Sequence, residues 1–128
     1  MDLLTLINRA GRQRMLTQEL MKLYLIKSYT IPYKGDVNQD ILECVENFNS
    51  TQVILGAKAD NNRRVQAGIA TVNKAWMKFI AAFETHDLDD VVELNKVVLI
   101  EMDKLVTELV LQYSTSCRPE LSKKIGQG

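Results

Sequence analysis

The sequence predicts an all-α domain folded as an up-down-up-down four-helix bundle. Three observations carry that expectation. Six Gly and two Pro in 128 residues are about half the usual share of roughly 12%, too few turn-formers for a many-stranded sheet. Apolar residues recur at three- and four-residue steps over four long stretches, the period of helices with one buried face. Short polar breaks separate these stretches, so four helices of about 22–28 residues pack as antiparallel neighbours. The chain is long enough for one domain with a substantial core.

The first helix is expected from about Asp2 to Tyr29, with Leu4, Ile7, Met21 and Leu25 on one line. Thr30-Ile31-Pro32-Tyr33-Lys34-Gly35 closes it, because proline lacks an N–H and disfavours helix just before itself. Asp36 is placed to cap the second helix, with Gln39 as the reciprocal half of a capping box. That helix sets Val37, Ile41, Val45, Phe48 and Leu55 on one face with Cys44 beside them, and Gly56 loosens its end. Asp60-Asn61-Asn62 reads as a turn and a fresh cap.

The third helix has the cleanest stripe: Val65, Ile69, Val72, Trp76, Phe79 or Ile80, and Phe83. Glu84-Thr85-His86-Asp87 interrupts it, and Asp87, Asp89 and Asp90 bring dipole-matched negative charge to the start of the fourth helix. The fourth carries Leu88, Val91, Val98, Met102, Leu105 and Leu109, widened by Leu99, Val106, Val110 and Tyr113. Residues 1–113 form the expected bundle; residues 114–128, polar and containing Pro119, read as a tail or linker.

Several functions are excluded cheaply. Sixteen basic and sixteen acidic residues cancel, which argues against a nucleic-acid partner held by overall charge. One His and two Cys are too few for the common zinc sites, and neither a metal nor another cofactor is expected. Cys44 and Cys117 read as free thiols. A di-metal carboxylate bundle needs Glu three residues before His, and Phe83 stands there ahead of His86. His86 reads as complementing the dipole at the end of the third helix, and Trp76 and Phe79 as core. No Ser-His-Asp or Cys-His arrangement can be built around one helix-end histidine, so no enzyme is expected. There is no transmembrane stretch and no secretory signal at Met1. The protein is therefore either cytoplasmic, starting at Met1, or a piece of a longer exported chain.

The informative irregularity lies in the first helix. Continuing its line from Leu4 and Ile7 gives Gly11, Arg14 and Gln18 before Met21 and Leu25. Glycine costs about 1 kcal/mol of helix propensity relative to alanine, and offers close approach of a backbone or ligand. Arg14 is the arginine aimed along the expected buried line, where its charge needs a negative partner. Arg9 and Arg12 fall on a flank and read as solvated, and Met15 and Met21 as core or interface filler. Three explanations stand for Arg14: an ion pair with Glu43, Glu46, Glu93, Glu101 or Asp103, an anion site, or a dimer seam.

The run Ile7-Asn8-Arg9-Ala10-Gly11-Arg12-Gln13-Arg14-Met15-Leu16-Thr17-Gln18 resembles the opening helix of PilJ-type domains of type IV pili chemotaxis transducers. It is also similar to the corresponding helix of NarX-type nitrate/nitrite sensor kinases. The resemblance implies a sensor domain of signal transduction, usually periplasmic, that forms a homodimer along its first helix. It further implies one small anion, nitrate or nitrite first, held at the interface by an arginine from each subunit. Arg14 matches that arginine and Gly11 the motif glycine, with Asn8, Ile7 and Met15 at neighbouring motif positions. Glu19 departs from the pattern, standing where the family commonly has a basic residue; a carboxylate turned toward the site would weaken an anion there. The alternative is a ligand-free helical interaction module in which Arg14 closes an intrachain salt bridge.

Overall fold

A computed structural model describes residues 2–59, 62–85 and 87–127, with the backbone alone given for Tyr113 and residues 115–127. Four helices are found among them: α1 (Leu3–Ser28), α2 (Val37–Lys58), α3 (Arg63–Thr85) and α4 (Leu88–Gln127). Each begins on a side-chain cap that satisfies a free backbone N–H. Asp2 Oδ1 accepts from Thr5 N at 2.8 Å, and Asp36 Oδ1 from Asn38 N and Gln39 N at 3.1 and 3.2 Å. Asn62 Oδ1 accepts from Val65 N at 3.0 Å, and Asp87 Oδ1 from Asp90 N at 3.2 Å. The capping box at Asp36 is only half made. Gln39 turns its amide forward to Glu43 Oε1, at 3.4 Å, instead of back to the cap.

α1 ends in a Schellman arrangement. Ile31 N donates to Ile26 O at 2.9 Å and Thr30 N to Lys27 O at 3.4 Å, with Thr30 in the left-handed region at φ 52°. A β-branched residue is strained there, and the two bonds it permits turn the chain toward Pro32. Tyr33 then donates its hydroxyl to Asp40 Oδ2, tying this loop to the first turn of α2.

The helices form an antiparallel bundle in which α1 packs on α2 and α4, and α4 on α3; α2 meets α3 over a much smaller area. Ring stacking reinforces that thin seam. Phe48 of α2 lies flat on Trp76 of α3, centroids 3.7 Å apart and planes within 11°. Trp76 Nε1 donates to Asn49 Oδ1 at 3.0 Å. Phe79 and Phe83 extend the cluster to Tyr24 of α1. α4 supplies Val91, Val98, Met102, Leu105 and Leu109 to the core. Gly68 lets α3 approach α4 closely, since a Cβ there would stand 3.2 Å from Leu105 Cδ1.

The backbone beyond Tyr113 continues as α-helix to Gln127, through Pro119 and the segment read as a tail or linker. Glu120, Leu121, Lys123 and Lys124 are good helix formers, while Pro119 brings no backbone donor to the helix. One expectation is corrected, and it concerns α1. Its buried line is Leu6, Ala10, Gln13, Thr17, Leu20 and Tyr24, so Leu4, Gly11, Arg14 and Gln18 are exposed and Arg14 is not aimed into the core. The reason is chemical: Gln13 and Thr17 are polar, yet the Gln13 amide N–H groups and the Thr17 hydroxyl find hydrogen-bond acceptors inside. The turn residues Asp60 and Asn61, His86, and the side chains of Tyr113 and Cys117 lie outside the described residues.

Candidate functional site

α1 presents three sides to its surroundings besides the core. Toward α4 lie the half-buried Ile7, Met21 and Leu25, with Arg14 among them in sequence spacing. Arg14 Nη1 meets Asp103 Oδ1 at 3.2 Å, with the two side chains 56% and 55% exposed. Asp103 was among the carboxylates open to Arg14 on sequence grounds. Toward α2 lie Arg9, Arg12, Leu16 and Glu19, lining a groove with Asn47, Ser50, Thr51 and Ile54. Between these two sides runs an outward ridge of Leu4, Asn8, Gly11, Met15 and Gln18, spaced by three and four residues.

The structure thus brings Asn8, Gly11 and Met15 onto one exposed ridge with Arg14 at its α4 edge, while Ile7 turns to the core margin. Met15 is 71% exposed and Leu4 49%, so Met15 is not core filler. A Cβ built on Gly11 meets nothing within 4 Å, in contrast to Gly68 against Leu105. No contact within the chain therefore requires glycine at position 11. Gly56 is equally open, but it lies in the last turns of α2, where glycine disturbs little. Arg14, Met15, Gln18, Glu19 and Lys22 surround a shallow depression of about 370 Å³. Glu19 borders both this depression and the α2 groove, placing a carboxylate beside each group of cations.

Sequence reasoning missed a polar layer beneath the ridge. Gln13 is fully buried; its Nε2 donates to Phe48 O at 2.8 Å and to Gln52 Oε1 at 3.1 Å. Gln52 Nε2 passes the chain on to Asn73 Oδ1 at 2.7 Å, so α1, α2 and α3 are joined by one amide network. Thr17 Oγ1 donates to Gln13 O at 2.9 Å. Gln13 Oε1 has no partner, although the amide orientation is fixed because both its neighbours accept. Gln13 and Gln52 both sit at core spacing from apolar neighbours, but their hydrogen-bond partners lie 35 and 39 residues from Gln13 and 21 from Gln52, so spacing alone does not mark them as buried.

Two titratable groups near the start of α2 are displaced from their ordinary values. The hydrogen bond from Tyr33 to Asp40 pushes the phenol up to about 12, with burial and neighbouring carboxylates adding to it. Burial pushes the Cys44 thiol up, helped by Glu19, Asp40 and Glu43, which makes it a poor nucleophile. Among the described residues no three His, Cys, Asp or Glu side chains group so as to hold a metal ion, and no helix is long and apolar enough to cross a membrane.

Fold and ridge together define a four-helix module with an unpartnered, partly apolar α1 surface. No family model matches the sequence, and no curated protein or solved structure matches it either.

Proposed function

We propose that the chain is a helical sensor module that self-associates through the outward ridge of α1 and holds one small oxyanion, nitrate or nitrite, between the Arg14 side chains of two copies. The observation that carries this reading is Gly11. It costs α1 about 1 kcal/mol relative to alanine, no residue of its own chain approaches it, and the exposed Met15 and Leu4 share its ridge. A second α1 packed across that ridge would use the missing side chain. Two-fold symmetry then sets each Arg14 near its own copy. Two guanidiniums about 7 Å apart repel by roughly 2.4 kcal/mol at an effective dielectric near 20, and a planar oxyanion between them reverses the sign. The PilJ-type resemblance of residues 7–18 supports the same arrangement, and ligand-dependent dimer geometry would be its signal.

The Arg14–Asp103 ion pair favours a second reading, a ligand-free helical interaction module in which Arg14 is already neutralised. Sedimentation velocity separates the two. The sensor reading expects nitrate, against chloride at equal ionic strength, to shift the population toward dimer, and Arg14→Ala to abolish the shift. A dimer population indifferent to nitrate would leave the interaction module as the better account.

A further inference from the structure

We infer that the groove between α1 and α2 is a binding site for a small monocarboxylate with an apolar body, separate from Arg14. The groove has a volume of about 680 Å³, within the range of small-molecule sites. Arg9 and Arg12 line it from α1, and Ser50, Thr51 and Asn47 from α2, with Leu16 and Ile54 between them. Neither arginine forms an ion pair with a described residue, although Arg9 is half-buried.

Arg12 is exposed and Arg9 half-buried, and like charges three residues apart on a helix destabilise it unless an anion lies between them. A carboxylate supplies the missing charge in the geometry guanidinium favours, two parallel N–H···O bonds, and the hydroxyls of Ser50 and Thr51 offer further donors. Leu16 and Ile54 are half-buried and present carbon to the body of the ligand. Glu19 fixes the charge of the guest. Two cations and one carboxylate leave a single net positive charge along the groove, which selects a monoanion over a dicarboxylate or a phosphate dianion.

The test uses hexanoate, with hexanamide as the uncharged isostere and succinate as the dianion, followed by amide NMR shifts of the whole chain. Hexanoate is expected to shift Ser50, Thr51 and Ile54 saturably, with a dissociation constant of about 20 mM or tighter for a ligand of its size. Hexanamide and succinate should each bind about tenfold more weakly, consistent with loss of one charge-assisted contact pair or gain of one repulsion. The double variant Arg9→Gln, Arg12→Gln, checked for an intact dispersed spectrum, should lose hexanoate binding. Equal binding of hexanoate and hexanamide, saturation that survives the double variant, or no saturable shift with hexanoate would each overturn the proposal.

Discussion

Gln13 and Arg14 are consecutive on α1 and face opposite surroundings: Gln13 is sealed in the core on Phe48 O and Gln52 Oε1, while Arg14 lies in solvent beside Asp103. One residue of helix, a turn of about 100°, separates a structural polar group from a surface cation. The two positions therefore respond differently to substitution.

Gln13→Ala should cost about 2–3 kcal/mol, since it empties core volume and strips Gln52 Oε1 of its donor. Gln13→Leu should cost less, because it refills the space and removes the orphaned Oε1 along with the donor. Urea unfolding of the two variants measures the difference. An alanine variant as stable as the leucine one would mean that the buried amide contributes nothing to packing.

A double-mutant cycle on Arg14 and Asp103 should return a coupling of about 1 kcal/mol or less, because both side chains are more than half exposed. A coupling well above that, measured by chemical denaturation, would make the pair a stability element and tie Arg14 to its own chain.

The Tyr33–Asp40 bond makes stability depend on alkaline pH. The folded-state value of Tyr33 is raised to about 12 above an ordinary 10, so its contribution is complete below pH 10 and is lost as pH rises toward 12. Tyrosinate absorbance should show one late-titrating phenol that vanishes in Tyr33→Phe, and that variant's stability should fall less steeply across the same interval. An unchanged titration curve in Tyr33→Phe would remove the assignment.

The helix starts and most of the core could be read from the sequence, because Asp36, Asn62 and Asp87 announce them and α3 carries an unbroken apolar stripe. α1 could not be read the same way. Its two buried polar residues, Gln13 and Thr17, interrupt the true core line, so it does not stand out clearly from the neighbouring line through Ile7, Met21 and Leu25. Burial of an amide depends on partners at positions 48 and 52, distant in sequence, and no local pattern announces them. Arg9 and Arg12 fall on a flank as expected, Arg12 exposed and Arg9 half-buried at the edge of the groove toward α2, whose lining depends on residues of α2 distant in sequence.

Gly11 separates monomer stability from self-association. Gly11→Ala should stabilise the fold by about 1 kcal/mol, since the added Cβ meets nothing within 4 Å in its own chain. Gly11→Leu, also a better helix former, should nevertheless weaken the dimer. Sedimentation of the leucine variant as an unaltered dimer would take Gly11 out of the interface.

Calorimetric titration of nitrate into the protein tests the central claim most directly. A site shared by two copies of Arg14 predicts saturation at one nitrate for every two chains, no comparable heat from chloride, and loss of binding in Arg14→Ala. Arg14→Lys should be impaired as well, because an ammonium lacks the planar fork that matches an oxyanion edge. Saturation at one nitrate per chain, or binding that survives Arg14→Ala, would contradict the shared site.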